Sequence, residues 1–242
     1  LFTATSAVTI TGLSVVNVGE TYTVFGKVII MMLIQCGGLG FMTFAILAAL
    51  SLSPKIGLKQ QVMAQDTIGQ TSLSKVSFTI KGVLLYSLFF EAIGTVILTI
   101  AWMEDYDFAK AFFYAAFYSV SAFNNGGFSL FPNSLMSFHD KYFITFTISM
   151  LYIIGGIGFV VLMDIKRAKR WKKLSANSKL IISTIAGLNL VAFILLWAIE
   201  ANNPLTLAPM SMGDQALNAW FHATVPRSSG FNSLELSHMS DA

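Results

Sequence analysis

The stretch FNNGGFSL, at Phe123–Leu130, decides the fold, because related patterns occur on either side of it. TITGLSV at Thr9–Val15 and PRSSGFNSL at Pro226–Leu234 also set a glycine among small polar residues. A Gly-rich apolar motif follows the first two loops: QCGGLGF at Gln35–Phe41 and IIGGIGF at Ile153–Phe159. Self-similarity at this spacing predicts an architecture of repeated units rather than one globular core.

The composition indicates a membrane protein. Hydrophobic residues make up 55% of the 242 residues and charged residues only 11%, whereas a soluble domain is about a quarter charged. Apolar runs of about 20 residues, the length that spans a bilayer, recur along the chain. Backbone polar groups in lipid must be satisfied within their own segment. We therefore predict an all-α integral membrane protein.

Four apolar segments are predicted to cross the membrane, at about Phe25–Leu52, Phe78–Met103, Tyr142–Met163 and Leu180–Ile199. Two apolar segments, Phe108–Phe123 and Gly213–Thr224, are too short to span and are predicted to be re-entrant or core helices. Residues Leu1–Val8 resemble the end of another such helix.

The predicted repeat unit is an outer span, a short pore helix, a glycine loop and an inner span. We expect the chain to be a fragment of a longer protein that contains parts of three units. Residues 1–52 would end repeat one, 53–77 form a linker, 78–164 hold repeat two, 165–179 form a basic linker, and 180–242 begin repeat three.

Basic residues predict the topology. The linker from Ser53 to Lys81 carries four lysines against one acid, and the second linker reads KRAKRWKK from Lys166 to Lys173. The other connections carry acids instead. By the positive-inside rule both basic linkers are expected to be cytoplasmic, and the glycine loops then face the outside.

Such a unit suits an ion pathway. Non-helical backbone is tolerated at membrane depth only where it is buried in protein or lines a water-filled cavity. Glycine allows positive φ, which lets successive carbonyl groups point inward, and the carbonyl ends of the short helices favour a cation. The loops carry no ring of acidic side chains, so backbone oxygen would be the ligand. This favours a monovalent cation.

The three loops resemble those of a known family. SAVTITGLSV (Ser6–Val15), SAFNNGGFSL (Ser121–Leu130) and ATVPRSSGFNSL (Ala223–Leu234) are similar to the first, second and third pore loops of the Trk/Ktr/HKT superfamily of potassium transporters. The Gly-rich inner-span motif and LFFEAIGT (Leu88–Thr95) fit the same family, in the same order. The bacterial Ktr membrane subunit is the most similar type.

The resemblance implies four covalently linked units in a pseudo-fourfold, potassium-channel-like arrangement around one pore, with one key glycine in each loop. Those glycines are Gly12, Gly127 and Gly230, and a fourth would lie beyond Ala242. Sodium-carrying plant relatives often have serine at the first position, so Gly12 favours potassium. The residues implied to supply the other carbonyls and the side chains that hold the loops are Thr9, Ile10, Thr11, Asn124, Asn125, Gly126, Ser228 and Ser229.

The resemblance also implies a function and partners. The protein would take up potassium, its substrate at the filter, across the cell membrane, as a multi-pass homodimer in lipid on a cytoplasmic ring of nucleotide-binding regulatory subunits. Neither an enzymatic activity, a cofactor nor a nucleic-acid partner is expected. Dependence on sodium is left open, and so is a carrier of another monovalent cation, sodium or ammonium.

Several single residues have two interpretations. Glu91, within a span, is expected to be a buried, hydrogen-bonded group that holds a pore loop, or else to contact the ion. Arg227, beside the third loop, would brace it through a carboxylate or screen the pore. The glycines of the inner-span motifs are expected to permit close helix packing, with a hinge as the alternative; they are Gly37, Gly38, Gly40, Gly155, Gly156 and Gly158.

Overall fold

The computed structural model describes residues 1–40, 73–224 and 230–240. Within these ranges the regular secondary structure is helical and no strand occurs. The α-helices are α1 (Phe2–Val8), α2 (Val18–Thr21), α3 (Val24–Gly38), α4 (Leu73–Trp102), α5 (Phe108–Phe123), α6 (Tyr142–Ile157), α7 (Phe159–Ala168), α8 (Ala176–Glu200) and α9 (Met212–Thr224). Short 3-10 helices lie at Met136–Phe138, Trp171–Lys173 and Leu236–His238.

Side-chain caps fix where several helices begin. Thr23 caps α3, Asp107 caps α5 and Ser175 caps α8, and in each case the side-chain oxygen accepts a backbone N–H from the first turn. Such a cap satisfies one of the donors that a helix leaves free at its start.

Two helices among the described residues are long and apolar enough to cross a membrane: residues Gly82–Trp102 of α4, and α8. They lie where the second and fourth spans were predicted. α3 covers the first part of the first predicted span, whose residues 41–52 lie outside the described residues, as does most of the 53–77 linker.

The third predicted span, Tyr142–Met163, is not one straight helix. α6 ends at Ile157, and α7 departs from it at 89°. The break is at Gly158, whose φ of +88° is rarely adopted by residues with a side chain. A Cβ atom at Gly158 would meet nothing within 4 Å. This glycine therefore breaks the helix rather than allowing close packing.

Three of the other motif glycines confirm the packing prediction. A Cβ atom on Gly37 would lie 2.2 Å from the carbonyl oxygen of Val8, and one on Gly155 would lie 1.8 Å from that of Phe123. At Gly38 it would lie 1.9 Å from Oδ1 of Asn124. Because no side chain fits, α3 and α6 press directly against the ends of α1 and α5. Those ends lead into the first two glycine loops.

The core lies around α5 and the loop that follows it. α5 packs against α3, α4 and α6, while α9 packs between α6 and α8. Trp102, Phe117, Tyr118, Phe128 and Phe231 are almost completely buried here. The core therefore surrounds the second and third glycine loops.

α8 presents an apolar surface. Leu188, Val191 and Leu195 are each more than half exposed. An exposed apolar face of this length on a helix that can span a bilayer fits contact with lipid or with further protein in the membrane.

Candidate functional site

The three glycine loops meet at one place. A Cβ atom on Gly12 would lie 2.6 Å from the carbonyl oxygen of Gly126 and 3.7 Å from the backbone nitrogen of Gly230. One on Gly230 would lie 3.5 Å from the Gly12 oxygen and 3.6 Å from the Gly127 oxygen. The residues at the key positions of three separate loops are therefore neighbours in space, with backbone carbonyl groups concentrated between them.

The first two loops have the same backbone conformation. Ile10 and Gly12 have φ values of 57° and 76°, and Asn125 and Gly127 have values of 57° and 68°. Each loop thus takes the left-handed conformation twice, with one residue between. This conformation is uncommon for a β-branched residue, so the surrounding contacts must hold Ile10 in it.

The first two loops are also anchored in the same way. The carbonyl oxygen of Ser6 accepts the N–H of Thr11 at 2.9 Å, and that of Ser121 accepts the N–H of Gly126 at 2.7 Å. The Ser6 hydroxyl accepts the N–H of Leu13, seven residues on, at 2.9 Å. The Ser121 hydroxyl donates to the carbonyl oxygen seven residues on, at 3.0 Å. A buried serine in the last turn of each short helix thereby fixes the loop.

Side chains at the other predicted positions differ in environment. Thr9 and Thr11 are exposed, and their hydroxyl groups lie 2.7 Å apart. Asn124 is buried and Asn125 is half-buried. Arg227, Ser228 and Ser229 lie outside the described residues.

A buried polar network lies at the base of the second loop. Glu91, only 4% exposed, accepts hydrogen bonds from the Ser87 hydroxyl at 2.7 Å and from Nδ2 of Asn124 at 3.0 Å. Asn124 also donates to Oε1 of Gln35 at 2.9 Å, and Nε2 of Gln35 donates to Ser87 at 2.9 Å. The network joins α3, α4 and the end of α5, so Asn124 connects Glu91 to the loop.

Sequence reasoning missed two members of this network. Gln35 opens the QCGGLGF motif and is a polar residue within an apolar helix, which was a usable signal. Ser87 lies one helical turn before Glu91, where neighbouring side chains of a helix meet. That spacing could have paired the two residues.

Two cavities lie beside the loops. One, of about 430 Å³, is lined by Gly12, Gly127 and Gly230 together with residues that follow the first two of these glycines. The other, of about 150 Å³, is lined in part by Asn124 and Asn125. No charged side chain lines either cavity among the described residues. Backbone oxygens and neutral side chains are therefore what an ion would meet there.

Comparison with known proteins gives a family. The model of the family TrkH, described as cation transport protein, matches residues 1–242. Ktr system potassium uptake protein B of Bacillus subtilis (strain 168) is 42% identical over 239 residues, which are 99% of this chain and 54% of that protein. The protein of the same name from Vibrio alginolyticus is 39% identical, over 98% of this chain and 52% of its own length.

Two further similarities extend the comparison. Potassium/sodium uptake protein NtpJ of Enterococcus hirae is 34% identical over the whole of this chain and 53% of its own. The crystal structure of the potassium transporter TrkH from Vibrio parahaemolyticus matches with a TM-score of 0.60 at 22% identity, over 93% of this chain and 42% of that one. The chain thus shares that fold and spans about half the length of the curated relatives it matches.

Proposed function

The chain belongs to the TrkH family of cation transport proteins, and from this membership we propose that the full-length protein takes up potassium across the cell membrane. The observation that carries the proposal is the meeting of three glycine loops, beside cavities that no charged side chain lines among the described residues. The names of two relatives, both potassium uptake proteins at about 40% identity, support potassium as the substrate.

The proposed filter is built from backbone oxygen. A potassium ion leaving water needs oxygen ligands that replace its hydration shell, and loop carbonyl groups can supply them. The twice-repeated left-handed conformation of the first two loops favours carbonyl groups that face a shared axis. α1 and α5 end where these loops begin, so the negative ends of their dipoles add attraction for a cation.

The proposed filter residues are the three loop segments Thr9–Gly12, Asn124–Gly127 and Ser228–Gly230. Each would belong to a unit of outer span, pore helix, loop and inner span, and the units would surround one pore with pseudo-fourfold symmetry. Glu91 would support the second segment through Asn124, and Arg227 would brace the third.

The proposed surroundings follow from the family and from charge. The two Ktr relatives are each named as one protein of a system, which supports assembly with other components. We include in the proposal a homodimer on a cytoplasmic ring of nucleotide-binding subunits. The basic segments would face the cytoplasm and the glycine loops the outside.

A second candidate is a carrier of both potassium and sodium. The name of the Enterococcus hirae relative, potassium/sodium uptake protein, favours it. The two candidates differ in the ratio of potassium to sodium uptake, which the sequence of the first loop should control.

Growth of a bacterium that lacks its own potassium uptake tests the proposal. Cells would express the full-length protein with its regulatory partner, as wild type, as Gly12→Ser, or as the control Gly187→Ala, where a Cβ atom would meet nothing within 4 Å. We expect wild type and the control to restore growth in low potassium. Gly12→Ser should need more potassium or become sensitive to sodium, because its Cβ atom would press on the Gly126 oxygen.

Failure of the wild type to restore growth would contradict potassium uptake. Restoration by Gly12→Ser with unchanged potassium need and sodium tolerance would contradict the filter assignment alone.

A further inference from the structure

Tyr118 on α5 holds the segment that follows the second glycine. Its side chain is fully buried, and its hydroxyl oxygen accepts the backbone N–H groups of Leu130 at 3.1 Å and Phe131 at 3.2 Å. The same hydroxyl group lies 2.6 Å from that of Ser129, which can take its single proton. One side chain therefore accepts two consecutive amides, of which Phe131 also donates to the Ser129 hydroxyl at 3.0 Å.

His222 on α9 does the same for the third loop. The residue is 2% exposed, and its Nε2 atom accepts the backbone N–H groups of Ser233 at 3.3 Å and Leu234 at 3.1 Å. An imidazole nitrogen accepts hydrogen bonds only when it carries no proton. His222 is therefore a neutral ring with its proton on Nδ1.

The two arrangements correspond position by position. Leu130 and Phe131 are the third and fourth residues after Gly127, and Ser233 and Leu234 are the third and fourth residues after Gly230. In both loops the acceptor lies on the preceding short helix. Tyrosine and histidine differ in chemistry, so the shared feature is the buried acceptor rather than a residue type.

The first loop lacks this brace. The corresponding residues are Val15 and Val16, which are 76% and 39% exposed. The Val16 amide donates to the nearby Ser14 hydroxyl at 3.4 Å. Among the described residues no side chain of α1 accepts either amide. Bracing is thus a property of the second and third loops, not a general consequence of the loop conformation.

Tyr118 also connects the two braced loops. Phe231, the residue directly after Gly230, stacks on the Tyr118 ring with centroids 5.4 Å apart and planes 21° apart. A shift of Tyr118 would therefore move the backbone on both sides of the contact. The second and third loops are therefore in contact through the Tyr118 ring.

We propose that Tyr118 and His222 are positioning residues for selectivity: each holds its filter segment in place by accepting two successive amides just beyond the key glycine. The inference rests on the proposed function of these loops. Without Tyr118 the Leu130 amide loses its partner and the Phe131 amide keeps only the Ser129 hydroxyl. Without His222 both the Ser233 and Leu234 amides lose theirs, and a protein rarely tolerates such buried, unpaired groups without rearrangement. The loosened loop could then close around a smaller ion.

Ion uptake by the full-length protein in lipid vesicles, with its regulatory partner, tests the proposal. The assay would measure KM and maximal rate for potassium and for sodium. Tyr118→Phe removes only the hydroxyl group. His222→Leu removes the acceptor, and His222→Gln returns an oxygen acceptor at a similar reach. Tyr114→Phe is the matched control, since it also removes a hydroxyl group from α5 but no hydrogen bond to a loop amide.

We expect Tyr118→Phe and His222→Leu to lower the potassium-to-sodium preference by roughly tenfold, the effect of about one lost hydrogen bond. The potassium KM should rise more than the maximal rate falls. His222→Gln should recover part of the preference, and Tyr114→Phe should match wild type.

Wild-type preference in Tyr118→Phe, with normal yield and melting temperature, would overturn the proposal. So would equal loss in His222→Gln and His222→Leu. If His222→Leu does not fold, Tyr118→Phe and His222→Gln still test the proposal. Absence of potassium uptake by the wild type would instead reject the proposed function, which the assay reports separately.

Discussion

Replacing Asn124 by alanine should detach the second glycine loop from its support. The Asn124 side chain donates to the carboxylate of Glu91 at 3.0 Å and to Oε1 of Gln35 at 2.9 Å. Both acceptors would lose a donor while Glu91 stays buried. Ser87, the other donor to Glu91, already uses its proton there.

The size of the effect follows from these two bonds. A hydrogen bond contributes about 0.5–1.5 kcal/mol, and a buried polar group left without its partner costs about 1–3 kcal/mol. The combined loss of the two bonds is about 2–4 kcal/mol, a large part of the total stability of roughly 5–15 kcal/mol typical of a folded protein. The melting temperature should fall by roughly 5–15 °C.

Thermal melting of the purified full-length protein in detergent measures this change. Asn133→Ala is the matched control, because Asn133 is exposed and lies outside the network. Potassium uptake by Asn124→Ala should also fall, since Asn124 begins the loop. Equal melting temperatures for the two variants would refute the reasoning that this network supports the second loop.

Two further predictions concern packing and surface charge. Gly155→Ala should lower the melting temperature by more than 5 °C, roughly the cost of overpacking, because its Cβ atom would lie 1.8 Å from the carbonyl oxygen of Phe123. The control Gly187→Ala, where the Cβ atom meets open space, should melt like wild type. Equal melting temperatures of the two variants would contradict the close packing at Gly155. Lys141→Ala should change the melting temperature by no more than about 2 °C, because both side chains of its 3.0 Å ion pair with Glu104 are exposed. A large fall in the same melting assay would show that the pair stabilises the protein more than a surface ion pair does.

The helices could be predicted from local pattern. α5 occupies Phe108–Phe123, where an apolar run begins after acidic residues and ends at two asparagines. α9 likewise covers an apolar stretch that ends shortly before the third glycine loop. Because such boundaries depend on neighbouring residues, one sequence is enough to place them.

The break at Gly158 could not be predicted in the same way. Apolar residues continue through IIGGIGF without a change of pattern, so the sequence predicts one span. Gly155 and Gly158 are the same residue type in the same motif, yet one is crowded by backbone and the other is in open space with a positive φ. The two glycines differ only in the backbone conformation and surroundings that the fold gives them.

The candidate site was predicted in part. The glycines carry a local signal and converge in space, and the polar Glu91 was noticeable within an apolar span. Asn124 donates to Glu91 from far away in sequence, and Gln35 joins the network through Asn124 and Ser87. No local rule connects these residues. His222 gave no sequence signal either, because its partners are backbone amides that only the fold brings to it.

Locating the bound ion would show whether the carbonyl groups of the three glycine loops form the filter. Crystals of the full-length protein grown with rubidium in place of potassium would show the ion by its anomalous scattering. The account predicts a peak within coordination distance of the carbonyl oxygens of Gly12, Gly127 and Gly230. A map with no peak at these glycines, or with its only peak beside Glu91, would contradict it.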